Sequence, residues 1–508
     1  MKRAIIKISK YFLLLLVIGI VGSYFWIDNE LSMILGKSTE VVNISSLIKP
    51  TPAIQIRNTS ILSEDCTSFI ENQNILIKGG KIISISPNEI IDKTAKVIDG
   101  TDLYLIPGLV DSHVHLQESK NDLYLYLANG VTSIREMAGK PVALDWKRAI
   151  LEGNEIGPRM FVTSRPISSV SGLEGYYHAW TRQSMNYNNK EKAKKTIQEA
   201  KQMGYDAIKM YSFVNPEMFK ATIEVARESD IPVIGHIPNE INLKSFYQSG
   251  QKEIAHIEEL TKKNIEDFGK SIARNSEEYI VFLKSHSNQI AKELKSNNIY
   301  ITSTVALMES LIVQKFNLES KLKEVALQYV NPKIIEGTSI AKMGWLPSRN
   351  PYELDAIDDL EYKKILESFW KTYIEAIRIM AKSLIENDVP ILAGTDANVS
   401  PMVPGFSLHE ELKTLSGYGM KNSEVLYSAT VAPNDWMKTN SGKIKVGYNS
   451  DLVLLSKNPL KDIENTSAIE YVFFDKYSID KTQINKILQS ITNVNNKNRS
   501  VDIYEFMN

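Results

Sequence analysis

The chain has 508 residues, and 59 Lys and Arg against 60 Asp and Glu give a formal net charge of -1 at pH 7. This balance argues against nucleic acid as a partner, and 43% hydrophobic with 23% charged residues excludes a disordered or polytopic membrane chain. The length suits about three domains of average size, or one barrel with a satellite domain. Cys66 is the only cysteine, which excludes an intrachain disulfide and a thiolate metal cluster and predicts a structural thiol.

The first predicted element is an apolar segment near the start of the chain. Four basic and no acidic residues lie within residues 1–10, and residues 11–27 are uncharged. About 17 such residues reach the lower limit for crossing a bilayer, with the basic flank cytoplasmic. We favour a membrane anchor over residues 1–28, with the catalytic part extracytoplasmic. The alternatives are a signal segment cleaved near residues 21–23, which gives a secreted or periplasmic protein, and a buried helix of a soluble protein.

Short β-rich segments with glycine turns occupy residues 51–106 and 440–478, and we predict that they form one composite β-sandwich. Between them, residues 107–439 alternate apolar strands with long helical patterns, which is typical of βα units. Eight such strands make a closed (β/α)8 TIM barrel the simplest fold. The predicted strands are 109–114, 131–135, 159–163, 207–211, 232–236, 253–256, 300–304 and 390–394.

Two further segments lie outside the barrel units. Residues 315–360 exceed what the βα units require, are helical in pattern and predict a lid over the barrel mouth. Residues 479–508 are rich in Asn, Lys and Ser, and predict a tail with one or two amphipathic turns and no chemistry.

Candidate metal ligands cluster at the predicted strand ends. His113 and His115 lie two apart at the end of an apolar strand, so both rings share one face. This pair alone would also fit ordinary core or surface histidines. However, His236, His256 and Asp396 close three other strands, where barrel enzymes place their sites. Imidazoles and a carboxylate are the ligands of Zn, Mn, Fe, Co or Ni, so the set predicts a metal site.

Lys209 stands in an apolar strand, where a charged ammonium would be desolvated. Three interpretations remain. The side chain faces outward to a helix, it pairs with a neighbouring acid, or addition of carbon dioxide converts it to an anionic carbamate that bridges two cations.

The chain resembles the amidohydrolase superfamily, in the branch of imidazolonepropionase-like and exported dipeptidase-like (Xaa-Arg and prolidase-type) enzymes. The resemblance covers about residues 53–475 and is specific for the superfamily, but only moderately so for the branch. The segments that carry it are PGLVDSHVH (107–115), GVTSIR (130–135), DAIKMYS (206–212), VIGHI (233–237), EIAHIEEL (253–260), ILAGTDA (391–397), FSLHEEL (406–412), DLVLL (451–455) and NPLKDI (458–463).

This resemblance implies a site with two divalent metal ions, zinc being the first expectation. His113, His115 and Asp396 would hold the more buried ion, and His236 and His256 the second. A carboxylated Lys209 would bridge the two ions. Imidazolonepropionases keep one metal and lack this lysine, so Lys209 favours the two-metal, dipeptidase-like members.

The predicted mechanism is amide hydrolysis without a covalent enzyme intermediate. A cation lowers the pKa of its bound water from about 15.7 toward neutrality, so a metal-bridging hydroxide would be the nucleophile. Asp396 is the predicted catalytic residue, which takes the proton during attack and returns it to the departing nitrogen. His178 and Tyr211 are expected to orient the substrate, and His286 and His409 to be structural.

The best-supported substrate class is a dipeptide or an N-acyl amino acid, and the alternative is a cyclic amide such as an imidazolone or hydantoin. A hypothesis of another class is a non-catalytic, membrane-tethered binding protein. A homo-oligomer is compatible with the sequence. Two segments depart from the family pattern: 171–178 after the third strand leaves the substrate open, and 432–438 affects only local packing.

Overall fold

The computed structural model describes residues 2–338, 343–354 and 359–507, with side chains from Lys10 onward. The strands are β1 (Ala53–Leu62), β2 (Phe69–Lys78), β3 (Lys81–Ser86), β4 (Lys96–Asp99), β5 (Tyr104–Pro107), β6 (Leu109–Val114), β7 (Val131–Glu136), β8 (Arg159–Val162), β9 (Ile167–Ser168), β10 (Met185–Asn186), β11 (Ile208–Met210), β12 (Val233–Gly235), β13 (Glu253–Ala255), β14 (Tyr300–Thr302), β15 (Ile391–Leu392), β16 (Leu452–Leu455), β17 (Ile469–Phe474) and β18 (Tyr477–Asp480). The helices are α1 (Lys2–Ile34), α2 (Asp122–Ala128), α3 (Pro141–Leu151), α4 (Gly172–Thr181), α5 (Lys190–Met203), α6 (Pro216–Glu228), α7 (Leu243–Tyr247), α8 (Glu258–Phe268), α9 (Ser276–Ser296), α10 (Val305–Phe316), α11 (Leu318–Leu322), α12 (Pro332–Glu336), α13 (Leu360–Glu386), α14 (Phe406–Gly417), α15 (Asn422–Ser428), α16 (Val431–Met437), α17 (Lys481–Asn498) and α18 (Tyr504–Met507).

The barrel part of the chain has a strand at each of the eight predicted places. Strands β6 to β8 form a three-stranded parallel sheet, and β11 to β15 form a five-stranded one. Single parallel bridges, Thr163 with Ala207 and Val114 with Ala397, join these sheets at their two seams. The fold is therefore TIM-barrel-like, but the closed barrel that we expected is not a continuous ladder. The strands at the seams are too short to continue the hydrogen-bond ladder around the barrel, since β15 has two residues and β11 has three.

The two β-rich ends of the chain combine in one hydrogen-bonded sheet, and the two-layer packing of the expected sandwich stays a prediction. The strand order of this sheet is β18-β17-β16-β5-β1-β2-β3, and β4 also pairs with β1. The long strand β1 makes this possible because its pairing with β2 shifts register between Ile56 and Ile61. Its first half then pairs with β4 and its second half with β5.

The end of the chain is more ordered than the sequence analysis expected. Helix α17 has 18 residues, about five turns, where we predicted one or two turns of a tail. Its buried residues Ile484, Ile487 and Ile491 recur at helical spacing, and Asp480 caps its start. The helix packs against α2 and the turn Leu327–Tyr329. The polar composition hid this apolar stripe.

The predicted lid, residues 315–360, includes α11, α12 and a buried Trp345 that packs with Val330 and Ile334. Met343 and Tyr352 line a cavity at the barrel mouth. Residues 339–342 and 355–358 of this predicted lid lie outside the described residues.

Helix α1 is the one described helix that is long and apolar enough to cross a membrane, judged by length and composition. Its residues 11–26 are exposed, and from Glu30 onward the helix is half-buried against the barrel. A signal sequence has the same properties, so this finding alone leaves the anchor and the signal segment as alternatives.

A buried ion pair connects opposite parts of the barrel interior. Arg135 on β7 donates a hydrogen bond to Glu253 on β13, and both side chains are fully buried. Thr302 donates to the same carboxylate, and the Trp436 ring lies 4.5 Å from the Arg135 guanidinium carbon. Trp436 belongs to segment 432–438, which departs from the family pattern. This segment therefore supplies the ring that covers the Arg135 guanidinium.

Candidate metal centre

The predicted ligands lie where the barrel strands end. His115, His236 and His256 each follow the last residue of their strand, and His113 is the last but one residue of β6. Asp396 lies four residues beyond β15. Because parallel strands end at one rim of the barrel, residues distant in sequence converge there.

Three of these side chains form a compact cluster. The ligand atoms of His113, His256 and Asp396 lie within 4.8 Å of one another, and all three side chains are buried. His115 Nε2 lies 2.9 Å from Asp396 Oδ1, and the rings of His236 and His256 are 5.1 Å apart. The cluster combines residues from both of the ligand sets that the resemblance assigned to separate metals, so the two expected sets of ligands lie in one place.

Neighbouring polar groups orient the imidazoles. The Nδ1 atom of His256 lies 3.0 Å from Thr304 Oγ1, and that of His236 lies 3.1 Å from Ser212 Oγ. Glu136 Oε1 lies 3.9 Å from His115 Nδ1. A partner at Nδ1 fixes the tautomer and leaves Nε2 available, which is the usual arrangement of a metal-binding histidine.

Electrostatics keep three of the rings neutral. Burial, and next the positive charge of an unmodified Lys209, lowers the pKa of His113 and His236 well below the usual value. Burial also lowers the pKa of His256 to about 4. Neutral imidazole is the form that binds metal ions.

In contrast, the surroundings of His115 and Asp396 favour the charged forms of these two side chains. Burial opposes protonation of His115, but the carboxylates of Asp396 and Glu136 raise its pKa to about 9. Burial raises the pKa of Asp396, but His256 and His115 outweigh it and bring the pKa to about 2. Asp396 is therefore ionised at neutral pH.

Lys209 lies at the centre of β11 and is 2% exposed. Its side chain lines the cavity at the barrel mouth, which excludes the outward-facing interpretation. Its Nζ has no hydrogen-bond partner among the described residues, which argues against the paired-acid interpretation. Burial lowers the pKa of Lys209 to about 8, while Asp396 and Glu253 act in the opposite direction.

Two of the candidate ligands hold unusual backbone conformations. The φ angles of His256 and Asp396 are +77° and +61°, and that of Thr304, the partner of His256, is +52°. Non-glycine residues with positive φ cost about 1–3 kcal/mol each and concentrate at functional sites. The fold therefore maintains strain at the positions that aim these side chains at one another.

The donor set fits a divalent cation. Neither ring nitrogen of the fully buried His113 has a hydrogen-bond partner among the described residues. Buried polar atoms without partners are unfavourable, and a cation would satisfy these nitrogens together with the Asp396 carboxylate. Nitrogen and oxygen ligands without thiolate suit zinc and similar transition metals.

A cavity of about 650 Å³ opens over this cluster, and Tyr211 is part of its wall. The Tyr211 ring lies 4.6 Å from that of His236. His178 lies on α4, with its ring 5.5 Å from Phe213, and is not among the lining residues. The roles predicted for His178 and Tyr211 in orienting the substrate stay predictions. The metal-site residues that line this cavity are His115, Lys209, His236, His256 and Asp396.

Two arginines that the sequence analysis did not single out also line the cavity. Arg165 follows β8 by three residues, and Arg182 follows the end of α4. The Arg182 guanidinium lies over the Phe213 ring, and neither arginine has an ion-pair partner among the described residues. The place of Arg165 just beyond β8 was an available sequence signal, whereas Arg182 lies beyond α4 and had none.

The remaining predicted structural residues have local partners. His409 approaches Thr466 Oγ1 and the Asn129 carbonyl, at 2.9 and 3.2 Å. His286 lies on the exposed side of α9, beside the Phe282 carbonyl. Cys66 is buried beside Thr430.

The family model described as "Amidohydrolase family" matches residues 104–485, which span every barrel strand. The chain belongs to the amidohydrolase family. The superfamily predicted from the sequence is thereby confirmed, and the name of the family denotes hydrolysis of carbon–nitrogen bonds. Members of this family depend on metal, which agrees with the donor set described above.

Solved structures share the fold of this amidohydrolase at low sequence identity. A Xaa-Pro dipeptidase with bound methionine is 16% identical, with a TM-score of 0.61 over 84% of this chain and 100% of that one. Bottromycin amidohydrolase is 18% identical, with a TM-score of 0.68 over 93% and 97%. The A. niger ochratoxinase is 16% identical, with a TM-score of 0.59 over 85% and 96%.

Curated relatives match only segments of this amidohydrolase. Dihydropyrimidinase 1 of Caenorhabditis elegans is 34% identical over 67 residues, which is 13% of each chain. Dihydroorotase of Mycobacterium tuberculosis is 30% identical over 122 residues, 21% of this chain and 27% of that one. The chain thus covers less than a third of the length of these relatives.

Proposed function

We propose that this protein is a metal-dependent hydrolase of an amide bond in a dipeptide or an N-acyl amino acid. The single observation that carries the proposal is the buried cluster of His113, His256 and Asp396, of which His256 and Asp396 line the cavity. His115 and His236 extend the cluster, and together these residues would hold two divalent ions, with zinc the first choice. Binding of an ion would release the proton that Asp396 and Glu136 favour on His115.

When bound, the ions supply Lewis-acid polarisation of the scissile carbonyl and lower the pKa of water. Asp396, which is ionised at neutral pH, accepts the proton of the attacking water and passes it to the leaving nitrogen. The expected products are the free carboxylic acid and the free amine.

The activity itself is tested with the full chain in detergent, on a panel of dipeptides and N-acetyl amino acids. We expect turnover that a chelator abolishes and zinc restores. A metal-loaded chain that cleaves none of these amides would overturn the proposed function and would favour the non-catalytic binding protein.

Carboxylation of Lys209 is part of the proposal. The side chain is buried, lines the cavity and has no described partner, so an uncompensated ammonium is unfavourable there. A carbamate would place an anion among ligands that bind cations. Its two oxygens could then bridge the two ions.

Lys209→Met is expected to lower the bound metal from two equivalents per chain to one, because the variant lacks the bridging anion. Elemental analysis after purification in bicarbonate measures this. Growth with ¹³C-labelled bicarbonate should give a carbamate ¹³C resonance in the natural chain and none in the variant. Equal metal content in both chains would contradict the bridging role.

The free carboxylate of the substrate is the group that Arg165 and Arg182 would recognise. Both arginines line the cavity, and neither has an acidic partner among the described residues. Arginine binds carboxylates through paired hydrogen bonds. The carboxylate of a dipeptide or an N-acyl amino acid can therefore pair with these arginines, whereas a neutral amide offers them no negative charge.

Arg182→Met should raise KM for an N-acetyl amino acid by about tenfold or more, because a charge-assisted hydrogen bond contributes about 1.5–3 kcal/mol. The matched substrate is the same compound with its carboxylate converted to an amide, on which the natural chain and the variant should differ by less than about threefold. An equal loss on both substrates would show that Arg182 supports the fold and does not bind the carboxylate.

A cyclic amide is the second candidate substrate, favoured by the segment matches to a dihydropyrimidinase and a dihydroorotase. Both names refer to cyclic amides. Side-by-side turnover of hydantoin, dihydrouracil and the N-acetyl amino acids separates the two candidates.

For the location of the chain, we propose that α1 is an uncleaved anchor that leaves the barrel on the extracytoplasmic side. The basic residues before the apolar run and the aromatic cluster at its end support this orientation. Secretion or release into the periplasm after cleavage is the alternative, and the mass of the protein recovered from membranes distinguishes them. A homo-oligomer remains a prediction.

A further inference from the structure

The last turn of α1 forms part of the wall of the site cavity. Leu31, Ile34 and Leu35 line the same cavity as Lys209 and Asp396. Two contacts hold this end of the helix in place: the Glu118 amide donates to the Leu35 carbonyl at 2.8 Å, and the Asn331 side chain donates to the Gly36 carbonyl at 3.2 Å. The end of α1 therefore forms part of the barrel mouth.

The distance from the bilayer to the cavity follows from helix geometry. The uncharged run ends at Ile27, and Leu31 lies four residues further along the same helix. At about 1.5 Å per residue, this is a rise of about 6 Å. If α1 crosses a membrane, the cavity wall lies about one helical turn from the edge of the apolar run.

Helix α4 adds an exposed apolar surface beside α1. Leu173 and Tyr176 are 89% and 78% exposed, and Tyr177 is exposed as well. The Trp180 ring on the same helix stacks on Tyr24 of α1, with the ring centroids 5.3 Å apart. We call Tyr24, Leu173, Tyr176 and Tyr177 the interfacial patch.

The interfacial patch has the composition of a membrane boundary. Clustered exposed apolar residues mark interaction surfaces, and Tyr and Trp concentrate where the bilayer meets water. The patch is continuous with α1 at the level of Tyr24, close to the end of the apolar run. Helix α4 follows strand β8, so it lies at the same end of the barrel as the site.

We propose that the interfacial patch rests in the headgroup region of the bilayer into which α1 inserts, and that the site takes an amphiphilic amide directly from that bilayer. The apolar part of the substrate would lie along Leu31 and Ile34, and its amide at Asp396. The carboxylate would lie at Arg165 and Arg182. The substrate class is then an N-acyl amino acid with a long acyl chain. The inferred substrate class depends on the proposed function, whereas the inferred placement at the membrane does not.

Membrane placement is tested by spin labelling of the full chain in phosphatidylcholine and phosphatidylglycerol vesicles. Cys66 is buried, and burial raises its pKa to about 11, so an introduced exposed cysteine reacts selectively. The test variant is Leu173→Cys. The matched control is Leu151→Cys, 66% exposed at the end of α3, which leads into β8 and so lies at the barrel end away from the site.

We expect the label at 173 to collide more with oxygen, which dissolves in lipid, than with a water-soluble nickel complex. The label at 151 should show the opposite preference. Equal exposure of both labels to the nickel complex would overturn the placement. Shielding of the label at 173 from both reagents would indicate contact with another protein copy and would overturn it too.

The substrate class is tested with N-dodecanoyl and N-acetyl derivatives of one amino acid, in the same vesicles. We expect kcat/KM to be at least about tenfold higher for the dodecanoyl compound, since each buried methylene is favourable. Leu31→Ser should lower this ratio several-fold, and Leu151→Ser should keep it. Equal values for both compounds would overturn the substrate class. Turnover of neither compound would refute the proposed function, while the label measurement would still decide the placement.

Discussion

Asp396→Asn is expected to lower kcat by about 10²–10⁴-fold, the range typical for loss of a positioned general acid or base. The amide cannot take up the proton of the attacking water or pass it to the leaving nitrogen. Among the described residues that line the cavity, the only other carboxylate is Glu258, and Lys262 binds it at 2.6 Å. Among the described lining residues, no unpaired carboxylate is therefore available to replace Asp396.

Steady-state kinetics on the best substrate of the panel measure this effect, and elemental analysis of the variant reports whether metal is retained. Glu258→Gln is the matched control in the same cavity, with an expected loss of less than about tenfold. If the Asp396→Asn protein turned over every substrate as fast as the natural chain, the proposed mechanism would be wrong.

Arg135→Met is expected to lower the free energy of unfolding by about 3–5 kcal/mol, because it leaves the Glu253 carboxylate charged and buried without its cation. The methionine would still fill space beneath Trp436, so loss of the charge partner dominates. Denaturant unfolding of the full chain in detergent, followed by Trp fluorescence, measures the change.

Two further variants make this prediction specific. Arg135→Met combined with Glu253→Gln should recover part of the loss, since the neutral amide oxygen still accepts from Thr302. Arg148→Met breaks the exposed pair with Asp145 and should cost less than about 1 kcal/mol. Similar decreases in the free energy of unfolding for Arg135→Met and Arg148→Met would contradict the role assigned to the buried Arg135–Glu253 pair.

Local patterns were sufficient to predict the barrel elements. Each of the eight predicted segments contains a strand, because apolar runs between helical patterns are short-range signals. Closure of the ladder depends on long-range pairing between strands of two or three residues, which no local pattern encodes. Helix α17 shows a local signal that composition masks: Ile484, Ile487 and Ile491 recur at helical spacing, but the residues between them are mostly polar.

The candidate site was predictable where residue type and strand position coincide. His113, His256 and Asp396 combine ligand chemistry with strand ends, and the structure brings them together. The Arg135–Glu253 pair joins residues 118 apart, and neither residue type indicates its partner. The contribution of α1 to the cavity wall was equally hidden, because Leu31 and Ile34 look like ordinary helix residues in the sequence.

The most direct test of the central claim, a two-metal site built from these histidines and Asp396, is elemental analysis of the full chain purified in detergent and bicarbonate. The account predicts two equivalents of divalent metal per chain. One equivalent per chain would be compatible with a metal-dependent hydrolase but would contradict the bridging role of Lys209. A chain that holds no metal, even after zinc is added back and excess removed, would contradict the account.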